Sequence, residues 1–343
     1  MVGATARNGK NTPAAGGSAN RMRVLVPCGD PAQADRLIQA GADELYLGFF
    51  DDGWVGRFGE SADLNRMSGF GSVANKASFE DVLTACDQVS SRGGHLFVTL
   101  NASTYTPDEL DFIRDRYLPR LAKRGVSGVI VSSIKLGLLA LDAGVVPVAS
   151  TMCAIYNADI ARVYQNAGFR RMIVPRDLSL EEIGAIHEAV PDVELEAFFL
   201  RNGCMFSDGY CLGLHRPECG ALCTFIRTRP AQVMTDYAGF DAVQAVELNS
   251  QMYDRLYHTL YACGLCALWR LRACGGTSLK VVGRADNLDA VCSDVRLTTD
   301  NLRIMEACSS EEEYLDRMRF PSNAPSACLL GLSCYYPEVR FGS

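Results

Sequence analysis

The densest group of chemically reactive side chains is a run of cysteines in the second half of the chain. Four cysteines fall within 20 residues, at Cys204, Cys211, Cys219 and Cys223, and three more follow at Cys263, Cys266 and Cys274. Zinc sites favour paired C-x₂-C knuckles, whereas iron–sulfur clusters use loop-borne thiolates at looser spacings, with the last ligand often remote in sequence. Because only the pair at 263 and 266 has the zinc spacing, the run favours an iron–sulfur site.

The composition sets the environment in which these thiols act. The chain has 343 residues, 14 cysteines and a net charge of −7. Residues 1–20 lack the apolar segment of a signal peptide, so we expect a flexible leader, a cytoplasmic protein and reduced cysteines, which disfavours disulfides. The chain contains no run of about 18 apolar residues, so no membrane helix is predicted. The acidic balance argues against broad binding of nucleic acid, so we do not expect a nucleic-acid partner.

A second set of polar side chains comes directly after predicted strands. It includes Asn101, Arg176, Arg201 and Arg284. Guanidinium groups bind carboxylates and phosphates through paired hydrogen bonds, so this set predicts a site for an anionic small molecule. Other polar residues at such positions are expected to cap helices instead, namely Ser133, Asn157 and Ser179. The sequence contains no G-x-S-x-G, Walker or H-E-x-x-H motif.

Short apolar segments that alternate with amphipathic stretches of helical length would position these residues. Seven strands are predicted up to residue 200, and an eighth at 279–282 follows a helix predicted over 251–272. The seven are residues 23–27, 44–48, 95–100, 128–131, 145–149, 171–174 and 193–200. Eight repeats of strand and helix favour an α/β fold of the closed (β/α)8, TIM-barrel-like type over an open doubly wound sheet. In such a barrel the side chains after the strands share one face.

The predicted organisation has three parts. After the leader, residues 21–290 form the barrel domain, with a cysteine-rich insertion at 201–230 after the seventh strand. Residues 291–343 form a short C-terminal extension that is helical at first and then becomes an irregular tail. A helix is also predicted from 107 to 124, and residues 49–78 are predicted to be a long loop.

Several stretches, in order along residues 22–290, resemble peptidase family U32, the collagenase-like peptidases. The segment from Glu196 to Cys211 reads E-A-F-x₅-C-x₄-G-x-C, as in the signature of that family. Further matching stretches are GADELYLG from Gly41, VTLN ending at Asn101, RDLSLEEI from Arg176 and SLKVVGR ending at Arg284. The resemblance implies a barrel fold.

The family includes oxygen-independent hydroxylation proteins of the UbiU/UbiV type and of RNA, and the resemblance to these implies a cofactor. Several of them hold a 4Fe-4S cluster with four cysteines. Carried over to this chain, the ligands are Cys204, Cys211, Cys223 and Cys266, with Cys219 as the alternative to Cys223. LCAL from Leu265 is the matching stretch around the fourth ligand.

The same resemblance implies a function. We expect oxygen-independent hydroxylation of a small molecule with prephenate as oxygen donor. Arg176, Arg201 or Arg284 would hold a carboxylate, and Asn101 is a further catalytic candidate. A second U32-family protein is the implied heterodimer partner. The alternatives are a U32-type peptidase or hydrolase, RNA hydroxylation, and an electron-carrier subunit.

Overall fold

The computed structural model describes residues 21–201, 203–204, 207–211, 262–321 and 334–342, and the structural statements below refer to these residues. The predicted leader, most of the cysteine-rich insertion and the cysteines at 219 and 223 lie outside the described residues.

Eight parallel strands form a closed barrel, which confirms the predicted fold. Around the barrel the order is β1-β10-β9-β8-β7-β6-β5-β2, and β1 closes it by pairing Leu25 with both Glu44 and Lys280. The strands are β1 (Arg23–Pro27), β2 (Glu44–Leu47), β5 (His95–Leu100), β6 (Gly128–Val131), β7 (Pro147–Ala149), β8 (Arg171–Ile173), β9 (Glu194–Leu200) and β10 (Gly276–Val281). Their near-continuous apolar character follows from burial on both faces, as parallel strands require. A separate parallel pair is formed by β3 (Phe49–Phe50) and β4 (Ala77–Ser78).

Helices follow most of the strands and cover the barrel. Ser133, Asn157 and Ser179 each accept a hydrogen bond from a backbone N–H of the first helical turn, which confirms the predicted caps. The described helices are α1 (Ala34–Gln39), α2 (Asp52–Phe58), α3 (Phe79–Ser91), α4 (Pro107–Phe112), α5 (Leu118–Lys123), α6 (Ile134–Asp142), α7 (Ala158–Asn166), α8 (Leu180–Ala189), α9 (Leu268–Ala273), α10 (Leu288–Glu306) and α11 (Glu311–Arg317).

The helix predicted over 107–124 is interrupted. A π-helical turn, Ile113–Tyr117, separates α4 from α5. Pro119 lies just after this turn and lacks the N–H that a regular helix would use at that position, so the wider turn accommodates it.

The helix predicted over 251–272 is wrong for its described part before residue 265. Cys263 forms isolated bridges with Leu200 and Cys334, and Cys266 lies in a 3-10 turn, Leu265–Ala267, that precedes α9. The N–H of Gly264 donates to the carbonyl of Phe199 at 2.7 Å. A backbone group bonded to the end of β9 is not available for a helix, so the tertiary contact overrides the local pattern.

The segment 49–78, predicted to be a loop, contains ordered elements that hold it over one end of the barrel. Trp54 of α2 is buried, and its indole N–H donates to the carbonyl of Ala62 at 2.9 Å. Its ring packs against Phe58 and Phe112, with centroids 4.7 and 5.8 Å away. These contacts fix the later part of the segment, which carries polar residues of the candidate site.

The last barrel helix is α10, and the predicted domain boundary at 290 falls inside it. This helix packs against α1, where Gly41 adopts φ +113°. A Cβ at Gly41 would lie 2.6 Å from Oγ1 of Thr299, so the close approach of the two elements requires glycine. Over the part of the chain that the structure covers, no helix is long and apolar enough to cross a membrane.

Candidate functional site

Four charged side chains form a network inside the barrel, which we call the interior charge network: Glu44, Arg171, Glu196 and Lys280. Arg171 donates to both carboxylate oxygens of Glu44, at 2.8 and 2.6 Å, and to Glu196 at 3.0 Å. Lys280 donates to the other oxygen of Glu196 at 2.6 Å. Burial would raise the pKa of Glu44, but the charge and hydrogen bonds of Arg171 outweigh it and lower that pKa to about 2. The network contains two cations and two carboxylates and is balanced.

The mouth of the barrel, the face at the carboxyl ends of the strands, carries a second group that we call the mouth cluster: Arg66, Arg176, Asp208 and Arg284. Arg176, after β8, donates to both oxygens of Asp208 at 2.8 and 3.2 Å. Arg66 donates to the same carboxylate at 3.0 Å. Burial would raise the pKa of Asp208, but Arg176 and Arg66 hold it well below its usual range. Asp208 therefore stays ionised and fixes both arginines.

Arg284, after β10, has a different environment from the other two arginines. Its hydrogen bonds are long and go to neutral groups: Thr99 at 3.2 Å, and Asn75 and Asn65 at 3.4 Å each. No carboxylate among the described residues forms an ion pair with it. Burial lowers the pKa of Arg284 to about 10, and the positive charge of Arg66 adds to this shift. The mouth thus holds a guanidinium whose charge is not neutralised by the described part of the chain.

Two glycines at strand ends make room for Arg284. A Cβ at Gly48 would lie 2.2 Å from a terminal nitrogen of Arg284 and 2.3 Å from the amide oxygen of Asn75. A Cβ at Gly29 would lie 2.2 Å from the carbonyl oxygen of Arg284. The close approach of β1 and β2 to this arginine is therefore a packed feature of the barrel.

The other predicted catalytic residues have partners of their own. Arg201, which has φ +70°, donates to Asp286 at 3.0 Å and to Asp294 at 2.7 Å. Its guanidinium therefore ties the end of β9 to α10, and the mouth cluster does not include it. The amide of Asn101 donates to Ser150 at 3.1 Å and accepts from the backbone N–H of Arg66 at 3.3 Å. Asn101 thus positions the segment that carries Arg66.

The sequence prediction missed two members of the mouth cluster. Arg66 belongs to the segment predicted as a loop and matches no motif. Asp208 lies between Cys204 and Cys211 in the signature-like stretch, at a position that the signature leaves unspecified. It also missed Lys280 and Tyr46, which face each other inside the barrel with the ammonium nitrogen 4.1 Å from the ring centroid.

The predicted cluster ligands are only partly described. Cys204, Cys211 and Cys266 are half-buried. They form no metal-binding group, since no three His, Cys, Asp or Glu side chains in the described ranges are placed to hold a metal ion. Cys263 forms a bridge with Leu200, four residues before Cys204. The cluster stays a prediction, because the residues expected to complete it are not described.

The curated proteins that are similar in sequence to this chain include the following three. A 23S rRNA 5-hydroxycytidine C2501 synthase of Escherichia coli is 30% identical over 60% of this chain and 30% of its own length. A collagenase of Porphyromonas gingivalis is 25% identical over 60% of this chain and 49% of its own length. A tRNA hydroxylation protein P of Escherichia coli is 29% identical over 40% of this chain and 30% of its own length. The chain thus spans about a third to a half of these relatives.

The family comparison covers more of the chain. A solved structure, that of the U32 peptidase Mk0906, is similar over 55% of this chain and 72% of that chain, with 19% identity and a TM-score of 0.42. The family model described as "Peptidase family U32" matches residues 29–324, which include every barrel strand after β1 and the whole mouth cluster. The chain belongs to peptidase family U32.

Proposed function

We propose that this chain is a U32 protein of oxygen-independent hydroxylation, which acts on a small molecule and binds a carboxylate-bearing co-substrate at the mouth of its barrel. The observation that carries the proposal is the uncompensated guanidinium of Arg284. A partly buried charge without a counter-ion destabilises the folded state, so an anion that completes the site gains most at this residue. Paired hydrogen bonds to a carboxylate would replace its long contacts to Thr99, Asn65 and Asn75.

The charge of the mouth cluster supports prephenate as the co-substrate. Arg284, a member of this cluster, has no carboxylate partner among the described residues, and its hydrogen bonds go to neutral side chains. Prephenate carries two carboxylates. Arg284 would bind one of them, while Asp208 holds Arg66 and Arg176 in the orientation that faces the second. Analogues of prephenate without carboxylates would leave the charge of Arg284 unpaired and should bind weakly.

Hydroxylation itself is supported by the relatives. Two of them carry names that state RNA hydroxylation. A 4Fe-4S cluster on Cys204, Cys211, Cys223 and Cys266, with Cys219 as alternate, would supply electron transfer, and the support for it is the resemblance of the sequence. The bridges of Cys263 make it a further candidate for the fourth ligand.

Metal analysis tests the cofactor. Protein purified without oxygen should contain about four irons and four sulfides per chain. After reduction it should give an electron paramagnetic resonance signal. Cys204→Ala should lose the iron, and Cys266→Ala and Cys263→Ala decide between the two fourth-ligand candidates. Cys86→Ala, on the buried face of α3, is the matched control and should keep it. Iron-free wild-type protein would remove the cluster from the proposal.

Calorimetry tests the co-substrate site. Prephenate should bind the purified chain, and Arg284→Gln should weaken binding roughly 10- to 100-fold, the equivalent of a charge-assisted pair of about 1.5–3 kcal/mol. Arg162→Gln is the control, since Arg162 is an exposed arginine on α7 that pairs with Asp159. Equal affinity of the wild type and Arg284→Gln would refute the assignment.

The names of the relatives favour RNA as a second candidate for the hydroxyl acceptor. Mass spectrometry of nucleosides, from RNA incubated anaerobically with the chain and prephenate, separates the two acceptors. A hydroxylated nucleoside would assign RNA, and its absence beside a hydroxylated small molecule would assign the latter. We further propose a cytoplasmic protein that pairs with a second U32 chain, which co-purification tests.

A hydrolase finds less support in the described residues. Their Ser–His contact, Ser127 with His95 at 3.4 Å, lies where β5 begins, at the end of the barrel opposite the mouth. Burial raises the pKa of the thiols of Cys28 and Cys153 to about 12, so neither is an activated nucleophile. Peptide cleavage by iron-free protein would reverse this preference.

A further inference from the structure

Lys280 stands out among the charged groups inside the barrel. The chain contains only five lysines, and 28 of its 33 basic residues are arginine. The three other described lysines, at 76, 123 and 135, are exposed, whereas Lys280 is 7% exposed. An ammonium can give up its proton and become a nucleophile, which a guanidinium does not do at neutral pH. Lys280, the single buried lysine among the described residues, therefore has chemistry that the arginines around it lack.

The carboxylate of Glu196 has a second cationic partner besides Lys280. Arg171 already donates to Glu196 at 3.0 Å through Nε, and its Nη2 lies 2.9 Å from the same oxygen. Glu196 thus keeps a full partner when Lys280 is neutral. Burial lowers the pKa of Lys280, Glu196 opposes this shift, and the charges of Arg171 and Arg284 add to it. Glu196 is 2.6 Å from the ammonium and can accept its proton directly.

Lys280 and the carboxylate-binding arginine share one wall of the barrel interior. The Lys280 nitrogen lies 4.1 Å from the centroid of the Tyr46 ring, and the guanidinium carbon of Arg284 lies 6.0 Å from the same centroid. Both come from β10 or the turn after it, with Arg284 nearer the mouth. In a 2-oxo acid the ketone carbon is bonded directly to the carboxylate carbon. One such molecule can therefore bind Arg284 through its carboxylate and present its ketone inward.

We infer that Lys280 forms an imine with the ketone of a 2-oxo acid whose carboxylate is bound by Arg284. The ammonium first passes a proton to Glu196, and the free amine adds to the ketone carbon to give a carbinolamine. The C–O bond then breaks, the oxygen leaves as water with the proton returned by Glu196, and a protonated C=N bond remains. One water is released and no oxidant or reductant is used. The iminium draws electrons from the adjacent carbons, which activates them for bond cleavage or proton loss.

The experiment is reductive trapping on the whole chain. Pyruvate, the smallest 2-oxo acid of use here, is added with sodium cyanoborohydride, and the modified peptides are mapped by mass spectrometry. We expect one reduced pyruvyl group on Lys280 and none on the exposed lysines. Lactate has the same carboxylate but no ketone, and it should give no adduct. The modified residue is identified in the wild-type protein, so this result does not depend on whether any variant folds.

Two variants test the roles of the residues. Lys280→Met should abolish the adduct, and Glu196 keeps Arg171 in this variant. Arg284→Gln leaves Lys280 in place and should lower the yield about tenfold or more, because the carboxylate loses its charge-assisted pair. A yield that does not depend on Arg284, or labelling that falls on exposed lysines only, would overturn the inference.

The inference shares the Arg284 carboxylate subsite with the proposed function and does not depend on hydroxylation. Pyruvate or prephenate that binds in an Arg284-dependent manner without an adduct on Lys280 would refute the imine and leave the proposed function intact. Absence of any Arg284-dependent binding would refute both.

Discussion

Replacing Arg284 and Arg176 by methionine should change stability in opposite directions. Both are arginines of the mouth cluster that lie after barrel strands, but Asp208 neutralises only Arg176. Burial lowers the pKa of Arg284 from 12.5 to about 10, and a tenfold change in acidity corresponds to about 1.4 kcal/mol. At any pH below 10 the charge on Arg284 therefore lowers the free energy of unfolding by at most about 3 kcal/mol. Because the side chain is only partly buried, solvent screening reduces this cost to roughly 1–2 kcal/mol.

The side chains that accept hydrogen bonds from Arg284 also have other hydrogen-bond partners. Asn65 also accepts from the backbone N–H of Met67 at 2.9 Å, and Thr99 donates to the carbonyl of Leu47 at 3.1 Å. Arg284→Met should thus leave no buried polar group unsatisfied and should raise the free energy of unfolding by roughly 1–2 kcal/mol. Arg176→Met leaves the buried carboxylate of Asp208 with Arg66 alone, and should lower that free energy by about 3 kcal/mol.

Urea unfolding at pH 7 and low salt, followed by tryptophan fluorescence and circular dichroism, measures the difference. Wild type, Arg284→Met and Arg176→Met should have midpoints in the order Arg284→Met, wild type, Arg176→Met. Prephenate should raise the midpoint of the wild type and leave that of Arg284→Met unchanged. If Arg284→Met is destabilised as strongly as Arg176→Met, an unseen carboxylate neutralises Arg284 and the anion-site reasoning is wrong.

Two further substitutions test other parts of the barrel. Gly48→Ala should displace Arg284, because a terminal nitrogen of this arginine would lie 2.2 Å from the new Cβ. Calorimetry should then show prephenate binding weakened roughly tenfold or more, the effect of losing one charged pair. Gly56→Ala meets nothing within 4 Å and should bind normally; equal affinities would contradict the assigned packing. Because the pKa of Glu44 falls from 4.5 to about 2, its stabilisation of about 3 kcal/mol is complete above pH 4.5 and is lost as pH falls towards 2. In acid titrations of thermal midpoint, Glu44→Gln should show a shallower loss over this window, and the exposed Asp159→Asn should follow the wild type; a wild-type profile for Glu44→Gln would disprove the pairing.

The barrel could be predicted from sequence because its determinants are local. Each strand is a short apolar run, and several helices begin with a capping residue such as Ser133 or Ser179. These patterns survive folding because burial of parallel strands on both faces and the hydrogen-bonding of helix ends impose the same requirements in every unit. Where a distant contact competes, as at Gly264 with Phe199, the local pattern loses.

The composition of the candidate site could be predicted only in part, because charge pairing joins distant segments. Arg66 and Asp208 are 142 positions apart, and no spacing rule connects them. Arg201 and Arg284 both follow barrel strands, so strand position does not distinguish them. Asp294, which is 93 positions from Arg201, pairs with Arg201 and holds it outside the mouth cluster. Strand position thus selects the candidate arginines, and the positions of the carboxylates decide which of them is paired within the described residues.

The change in charge balance along the barrel axis explains why chemistry should occur between Lys280 and Arg284. In the interior charge network, Arg171 and Lys280 face Glu44 and Glu196, so nothing there attracts an anion. In the mouth cluster, Arg284 has no carboxylate partner among the described residues, and we propose that an anion from solvent binds there. The inner end of that anion would lie towards Lys280, since Lys280 and Arg284 both face the ring of Tyr46. This arrangement would place a bound carboxylate and a transferable proton on the same side of the barrel interior, as a reaction at a ketone requires.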